Sequence, residues 1–425
     1  MYQISFVHPF KNSNARNAAI ALSEAGTLRE IVTTVAVKPG GPLEQIVGRI
    51  PGKMGAHIVS ELSRRHWNSP GGEPVRTHPW GEVYRIAMVR SKLVGRVGPN
   101  VQAMTDNIWL SLDNHVARHH LDGTSGVYAY EDGAATTFRA AKERGIATFY
   151  DLPIPYYKTY HEIQFEEAAR FPDLAESIHV VHEPSWKLER KDAEIELADH
   201  IFVASNLTKR SLVTNGVDPS KITLTPYGAP TDYFYPRPPT SDTADVDNVG
   251  FRALYVGRVG PRKGVHYLLQ AWKELRLPSS ELLLLGVNEF RNDWLSKYRD
   301  VFRHVPTVPH SSLNAYFSSA NIVVFPSLAE GFGLVVVEAM ACGIPVIATQ
   351  NTCGADVITD GVDGFVVPIR DTEALKEKID WCYRHPDDVK EMGRAARKKA
   401  ESLTWSAYRA TLNATIRAFQ PSVCQ

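Results

Sequence analysis

Cysteine is scarce in this chain of 425 residues, which contains only Cys342, Cys353, Cys382 and Cys424. No two of them form a C-x-x-C pair, so the sequence offers neither a zinc cluster nor a redox dithiol. Scattered cysteines of this kind are typical of a reducing compartment. Net charge is also missing, because 47 basic residues balance 47 acidic ones. A non-specific nucleic-acid binder needs an excess of positive charge, so we expect no nucleic-acid partner.

Long apolar runs are absent as well. No stretch of about 18 consecutive apolar residues occurs, and we therefore predict no transmembrane helix. The first residues, MYQISFVHPFKNSN, have neither the basic region nor the apolar stretch of a secretory signal, and they predict a short strand instead. We expect a cytoplasmic protein, for which peripheral contact with the inner face of a membrane stays open.

One segment departs from the overall charge balance. Between Lys38 and Arg96 the sequence holds ten Lys and Arg residues against four Glu. The simpler interpretation is a solvated, irregular surface. The alternative is a patch that touches anionic lipid or an anionic acceptor, where each nearby cation contributes about 1 kcal/mol.

Short apolar strands alternate with helical periodicity along both halves of the chain, most clearly at FRALYV (Phe251–Val256) and NIVVF (Asn321–Phe325). This alternation predicts parallel strands joined by crossover helices. A stretch rich in Pro, Ser, Thr and Asp, 236–250, predicts a linker. We therefore expect two facing, doubly wound α/β domains, 1–235 and 251–425, with a ligand cleft between them.

Glu338 is the first candidate for chemistry. It lies in VVVEAM, where apolar neighbours cover most of the circumference of the predicted helix. A buried carboxylate needs a partner, and the two hydroxyls of a nucleotide ribose suit its two oxygens. An internal salt bridge or a narrow solvent-facing stripe is the alternative.

A phosphate cradle precedes this helix. Glu330 follows the NIVVF strand, at the sheet edge where ligands of open α/β sheets bind. The link Gly331, Phe332 and Gly333 then leads into the helix at Leu334, and free amides at a helix start attract phosphate. Sugar, diphosphate and ribose would be held in that order, although Glu330 alone could be a loop carboxylate without a role.

A second cluster, GRVGPRKG (Gly257–Gly264), also follows a strand and begins a helix. Arg258 and Lys263 would lie at the same sheet edge, where fixed cations can neutralise a departing diphosphate without a metal. Surface loops often carry Arg and Lys, and that interpretation remains the alternative.

These motifs together resemble the retaining glycosyltransferases of the GT-B fold known as family four. The matching pieces are GRVGPRKG, FPSLAEGFGLVVVEAMACGIPVIA and DGVDGFVVPIRD, with ELADHIFVASNLTKRSL and TPYGAPTDYFYP upstream. The resemblance implies that Glu330 contacts the donor sugar, Glu338 the ribose, and Arg258 and Lys263 the diphosphate. It also implies retention of anomeric configuration, no metal, and a last helix that crosses back to the N-terminal domain.

The N-terminal half departs from the family pattern. Many members place a histidine after a mid-domain strand, near the reacting carbon, and Asp151 in TFYDLPIPYY occupies the comparable position here. We therefore predict a catalytic role for Asp151, with Glu131 and Asp132 as further candidates for the cleft. An acidic residue beside a strand end can also simply cap the next helix.

Other signals point away from different functions. His115, His119 and His120 lack the H-E-x-x-H arrangement of a metal site, and we predict no metal. The sequence favours a glycosyltransferase that uses a nucleotide sugar, such as a UDP- or GDP-sugar, without a further cofactor. The acceptor would be a carbohydrate or glycolipid hydroxyl, in envelope polysaccharide or glycolipid synthesis. A nucleotide-sugar epimerase, a sugar phosphorylase of the same fold and a non-catalytic sugar-nucleotide binder are the alternatives.

Overall fold

The structure is a computed structural model, and it describes residues 3–37, 40–41, 45, 65–67, 69–90, 101–178, 183–238 and 249–419. Most of the basic segment 38–96 and most of the predicted linker 236–250 lie outside these described residues. Within them, no helix combines the length and the apolar character that a membrane span requires. The three cysteines in the described ranges, Cys342, Cys353 and Cys382, are buried free thiols.

Strands and helices alternate along the described chain. The strands are β1 (Ile4–Val7), β2 (Leu28–Thr33), β3 (Val75–Thr77), β4 (Gly126–Tyr130), β5 (Ala147–Leu152), β6 (His200–Val203), β7 (Ile222–Leu224), β8 (Phe251–Val256), β9 (Ser280–Leu285), β10 (Arg303–Val305), β11 (Ile322–Phe325), β12 (Val346–Thr349) and β13 (Gly364–Val367). The helices are α1 (Ser13–Glu24), α2 (Trp80–Arg90), α3 (Val101–His119), α4 (Ala135–Lys142), α5 (Tyr157–Arg170), α6 (Ser185–Leu197), α7 (Asn206–Thr214), α8 (Val265–Leu275), α9 (Asn292–Leu295), α10 (Leu313–Ser318), α11 (Leu334–Ala341), α12 (Gly354–Val357), α13 (Thr372–Arg384), α14 (Pro386–Ser402) and α15 (Trp405–Ala418).

Two parallel sheets form the framework. The first has the order β3-β2-β1-β4-β5-β6-β7 and the second β10-β9-β8-β11-β12-β13. The strands of each sheet run parallel to their neighbours. Helices link successive strands, as parallel pairing requires. The prediction of a doubly wound α/β protein is thus confirmed, and in both sheets the strand order reverses beside the first strand, which is where such folds bind ligands.

Burial explains why the central strands could be recognised in the sequence. Every residue of β8 and of β11 is buried, so β11 reads as a continuous apolar run and β8 as one interrupted only by Arg252. The outer strands β3 and β10 are three residues long, contain Arg76 and Arg303, and have no fully buried residue. They carry no apolar pattern, and for that reason the sequence analysis missed them.

The C-terminal helix crosses from the second sheet to the first domain. α15 packs against α1, where Arg409 contacts Glu24 at 3.0 Å and Asn17 at 3.0 Å. Beyond its end, Phe419 lies edge-on against Phe149 of β5. α15 thereby ties the end of the chain to the N-terminal domain.

A buried ionic cluster joins the two domains beneath the cleft. Glu167 of α5 has no exposed side-chain surface and accepts hydrogen bonds from Arg370 at 2.7 Å and His266 at 2.6 Å. Burial alone would raise the pKa of Glu167, but the hydrogen bonds and charges of His266 and Arg370 outweigh burial and lower it. A carboxylate in this setting needs its partners, because removing one leaves an uncompensated buried charge.

Replacing Arg370 by methionine should therefore destabilise the fold by about 3 kcal/mol. Because the pKa of Glu167 is lowered in the folded protein, its contribution exists above the ordinary glutamate pKa and is lost as the pH falls below it. The free energy of unfolding, measured in denaturant as the pH is lowered through the ordinary pKa of glutamate, should accordingly fall less steeply in R370M than in the natural protein. The control is R384M, because Arg384 forms an exposed pair with Asp380 that is worth at most about 1 kcal/mol. Equal stability of R370M and R384M would contradict this account.

Candidate active site

The predicted cleft lies at the carboxyl edges of both sheets and has a volume of about 410 Å³. The N-terminal domain contributes the start of α1, the loop after β5 and the loop after β7, and the C-terminal domain contributes the ends of β8 and β11 and the start of α11. The lining residues are Asn14, Pro153, Ile154, Tyr227, Val256, Gly257, Arg258, Arg262, Lys263, Phe325, Glu330, Gly331, Phe332, Gly333, Leu334, Val335 and Glu338. The predicted residues Glu330, Arg258, Lys263, Gly331, Phe332, Gly333, Leu334 and Glu338 are therefore brought together here, whereas Asp151 and the further candidates Glu131 and Asp132 are not among the lining.

Glu330 is held by cations from the neighbouring strand-end loop. Its carboxylate pairs with Lys263 Nζ, lies 3.4 Å from Arg262 Nη1 and accepts a hydrogen bond of 2.7 Å from Ser327. Burial alone would raise the pKa of Glu330, yet the charges of Lys263 and Arg262 lower it. The pKa of Lys263 is lowered as well, because burial lowers it by more than the nearby negative charge of Glu330 raises it. We interpret the group as a fixed, ionised pair, because each charge compensates the burial of the other.

Arg258 occupies the rim of the cleft. Its guanidinium is 63% exposed and donates to Glu289 Oε1 at 2.6 Å. An exposed pair of this kind is weak, so the side chain can exchange its partner for a ligand at small cost. Arg258 thus lies in the predicted region but does not point at a preformed anion site.

The link between Glu330 and α11 depends on two glycines. Gly333 has φ +90°, which glycine adopts without strain, and a Cβ there would lie 2.9 Å from the ring of Phe325. A Cβ on Gly331 would lie 1.6 Å from the carbonyl oxygen of Pro153 in the N-terminal domain. Gly333, Leu334 and Val335 line the cleft, so α11 begins at its wall, and the first amides of a helix have no acceptor within the helix.

Glu338 lies at the far side of the same helix start, one turn after Leu334. Its side chain is 10% exposed, and its contact in the structure is His310 Nε2 at 3.6 Å. His310 is 65% exposed, and hydrogen bonding and charge from Glu338 raise the pKa of this histidine. The carboxylate is therefore not enclosed in an internal ion pair, and it keeps an open side toward the cleft.

Asp151 is the predicted site residue that the structure places elsewhere. It ends β5 as a buried side chain, 3% exposed, and accepts a hydrogen bond of 2.6 Å from the hydroxyl of Tyr128. Burial raises the pKa of Asp151 to about 7, although neighbouring tyrosine hydroxyls act in the opposite direction. The residues of this segment that reach the cleft are Pro153 and Ile154. Asp151 is thus part of the packed interior beneath the cleft.

Glu131 and Asp132, the further candidates, contact lysines of α6. Glu131 lies 3.6 Å from Lys191, and Asp132 lies 3.2 Å from Lys187. Neither of them caps α4, since Glu194 accepts the amides of Ala134 and Ala135. Asp132 has φ +70°, a conformation that costs non-glycine residues energy. Neither residue is among the described residues that line the cleft, and their predicted roles stay predictions.

The sequence analysis did not predict Arg262 and Tyr227 as site residues. Arg262 stands beside Lys263 in GRVGPRKG, and Tyr227 stands in TPYGAPTDYFYP, so in both cases a signal was present in a motif already quoted. The histidines discounted as metal ligands do lie close together, with His115 Nε2 and His120 Nε2 3.3 Å apart. In the described ranges, however, no group of three or more His, Cys, Asp or Glu could hold a metal ion.

Two facing parallel-sheet domains with a cleft at their carboxyl edges define the GT-B class. Sucrose-phosphate synthase from Thermosynechococcus elongatus superimposes with a TM-score of 0.64 at 20% identity, over 98% of each chain. Anabaena HepE in complex with UDP-glucose superimposes with a TM-score of 0.61 at 14% identity, over 99% of this chain and all of HepE. The GT-B fold implied by the motifs is thereby confirmed.

Sequence comparison finds similarity to glycosyltransferases in the C-terminal half of the chain. Residues 246–399 match the family model described as glycosyl transferases group 1. The chain is 32% identical to D-inositol 3-phosphate glycosyltransferase of Pseudarthrobacter chlorophenolicus over 204 residues, 45% of this chain and 49% of that protein. It is 28% identical to the capsular polysaccharide biosynthesis glycosyltransferase CapM of Staphylococcus aureus over 229 residues, 51% and 60% of the two chains. The chain thus spans about half the length of the first curated relative. It has the GT-B fold, and its residues 246–399 are similar to the group 1 glycosyl transferases.

Substituting Gly331 by alanine tests how closely the two domains meet. The new methyl group would overlap the Pro153 carbonyl and force the loops apart, at a cost of about 1–3 kcal/mol. We expect a lower unfolding midpoint and weaker nucleotide binding, measured by thermal shift with and without UDP and GDP. The matched control is G250A, where the nearest atom to the added Cβ is 3.4 Å away. If G331A and G250A behaved alike, the close approach would not exist in solution.

Proposed function

We propose that this protein is a retaining glycosyltransferase that transfers a sugar from a UDP- or GDP-sugar to a hydroxyl of a carbohydrate or glycolipid. One observation carries the proposal. A single cleft between the two domains combines the Glu330 ion cluster, the glycine-flanked start of α11 and the open carboxylate of Glu338. Kinship with group 1 glycosyltransferases supports the same conclusion.

The donor fits this arrangement from one end of the cleft to the other. The ribose hydroxyls would donate to Glu338, replacing its contact with the exposed His310. The diphosphate would accept from the first amides of α11 and from Lys263, with Arg258 leaving Glu289 to join them. The sugar would then lie beside Glu330, whose orientation is fixed by Lys263 and Ser327.

The reaction follows from where the positive charge lies. The bond between the anomeric carbon and the phosphate oxygen breaks, and the negative charge that develops on the diphosphate is stabilised by Lys263, Arg262 and Arg258. The acceptor hydroxyl attacks the same face of the sugar, a new bond between its oxygen and the anomeric carbon forms, and its proton passes to the departing phosphate. Among the described lining residues the carboxylates are Glu330 and Glu338, and Glu330 is already engaged by cations. A direct transfer with retention therefore suits the site better than a covalent intermediate.

The acceptor belongs to the other wall of the cleft, formed by Asn14, Pro153 and Tyr227. Relatives of this chain are named for inositol 3-phosphate and for capsular polysaccharide. We accordingly propose an acceptor used in envelope polysaccharide or glycolipid synthesis. Contact with a membrane through residues 38–96 stays a prediction, since most of that segment lies outside the described residues.

Removing Lys263 or Glu338 should separate chemistry from binding. K263A should lower kcat/KM for sugar transfer by at least about a hundredfold, the loss typical when one preorganised donor to a developing charge is removed. E338A should weaken the binding of UDP or GDP by about tenfold, since a hydrogen bond to a charged group is worth about 1.5–3 kcal/mol. Calorimetry with UDP and GDP, and transfer of labelled sugar to cell-envelope lipid and polysaccharide, measure the two effects.

E391A serves as the control for both variants, because Glu391 is an exposed carboxylate on α14. Its nucleotide binding and transfer should match those of the natural protein. Undiminished transfer in both K263A and E338A would refute the assignment of the donor site. Conversion of the donor without any acceptor would instead indicate the epimerase alternative.

Metal independence provides a separate test. Because Lys263, Arg262 and Arg258 supply positive charge at the predicted place of the diphosphate, transfer should continue at an unchanged rate in excess EDTA. The measurement is the initial rate of sugar transfer with EDTA, with Mg²⁺ and with Mn²⁺. A rate that vanishes in EDTA and returns with a divalent cation would show that the cations of the chain do not suffice.

A further inference from the structure

A second cavity, with a volume of about 230 Å³, lies at the carboxyl edge of the first sheet. It is formed by the loops after β1 and β2 together with α2. Its lining residues are Pro9, Phe10, Lys11, Thr34, Val35, Arg65, Glu82 and Arg85, and we call it the basic pocket. None of these residues takes part in the donor site described above.

Glu82 organises the arginines of the basic pocket. It is a buried carboxylate, 3% exposed, that accepts two hydrogen bonds of 2.8 Å from Nε and Nη2 of Arg85. Arg65 donates to the same carboxylate at 3.1 Å. Burial alone would raise the pKa of Glu82, but the two arginines outweigh burial and lower it. The guanidinium groups are thus fixed in position, and Nη1 of Arg85 remains outside the bidentate pair.

Lys11 adds a cation without a counter-charge. Within the described ranges, no carboxylate lies at ion-pair distance from its ammonium group, which is half-buried at the pocket wall. Burial and the nearby charge of Arg16 both lower the pKa of Lys11, as expected for a cation in a positive field. Lys11 therefore adds to the arginines of the basic pocket a positive charge for which the described residues supply no carboxylate.

We propose that the basic pocket binds a phosphate group carried by the acceptor. A phosphate monoester holds about −1.5 to −2 charges at neutral pH, so it would attract the ammonium group of Lys11 and the guanidinium groups beside it. Planar guanidinium groups and a lysine are the donors that recognise such oxygens. This inference rests on the proposed function, since it names the chemical class of the acceptor in that reaction.

Size and position support the same inference. Pockets for whole small ligands occupy roughly 300–1,000 Å³, so about 230 Å³ suits one group of a larger molecule. Lys11 in the basic pocket and Asn14 in the donor cleft are three residues apart, a span of at most about 11 Å between their Cα atoms. An acceptor anchored by its phosphate could therefore present a hydroxyl to the donor sugar. The phosphate could come from a soluble sugar phosphate or from a lipid headgroup.

Titration with inorganic phosphate tests the pocket directly. Experiments are made with saturating UDP or GDP, which occupies the donor site, and the dissociation constant is measured by calorimetry. K11M should weaken phosphate binding at least about tenfold, whereas K221M, which removes an exposed lysine elsewhere, should leave it unchanged. K11M breaks no ion pair of the described structure and should fold. R85K provides a second variant, which keeps the positive charge but loses the paired N–H donors of the guanidinium group. Its loss of phosphate affinity should be intermediate.

A vesicle experiment distinguishes the two sources of phosphate. Phosphatidylcholine vesicles with and without phosphatidylinositol 4-phosphate, whose ring phosphate is a monoester, are sedimented with the natural protein, K11M and K221M. Binding that needs both phosphatidylinositol 4-phosphate and Lys11 identifies a lipid headgroup, and a Lys11-dependent phosphate titration without vesicle binding identifies a soluble phosphate.

Two results separate this inference from the proposed function. Equal phosphate affinity in K11M, R85K and the natural protein overturns the basic pocket, even if UDP or GDP binds normally and transfer occurs. Conversely, if neither UDP nor GDP binds, the proposed function fails. The basic pocket can then still be tested by the same phosphate titration without nucleotide. That titration is made in K263A, because removing Lys263 weakens phosphate binding at the donor site.

Discussion

The pairing of Glu330 with Lys263 and Arg262 is the interaction on which the rest of the cleft depends. A buried carboxylate is tolerated only with compensating cations, and buried cations only with a carboxylate. The three groups therefore fix one another at the point where the ends of β8 and β11 meet. This mutual compensation leaves one positive charge in excess, so the cleft favours an anion without holding a strong field that would bind anions indiscriminately.

The backbone around this cluster explains why the anion would be a diphosphate. Gly333 turns the chain at φ +90° into α11, which brings the first amides of the helix next to the lysine. In the proposed reaction, amides and fixed cations would act on the same oxygens, and neither would have to reorganise when charge develops. Gly331 lets the N-terminal domain approach to contact distance, which removes water from this part of the cleft.

The sequence predicted the C-terminal wall of the cleft far better than the N-terminal wall, and the reason is physical. Glu330, Lys263 and Glu338 belong to the segments between a buried strand and the end of the next helix, so strand position fixes where they lie. The N-terminal wall is assembled from Asn14, Pro153 and Tyr227, which are distant in sequence and carry no shared pattern. Asp151 shows the limit: it ends a strand as predicted, but its side chain points into the tyrosine core, an orientation that alternation along the strand alone could not decide.

The basic pocket repeats the principle of the donor cluster with different residues. In each, a largely buried carboxylate holds two cations, Glu330 for Lys263 and Arg262 and Glu82 for Arg65 and Arg85. Cations fixed in this way lose little entropy when they bind an anion, and their geometry discriminates between anions of different shape. The two anions that we propose as ligands would repel each other at short range. The cations of the two cavities lie at the edges of different sheets, an arrangement that would keep these anions apart.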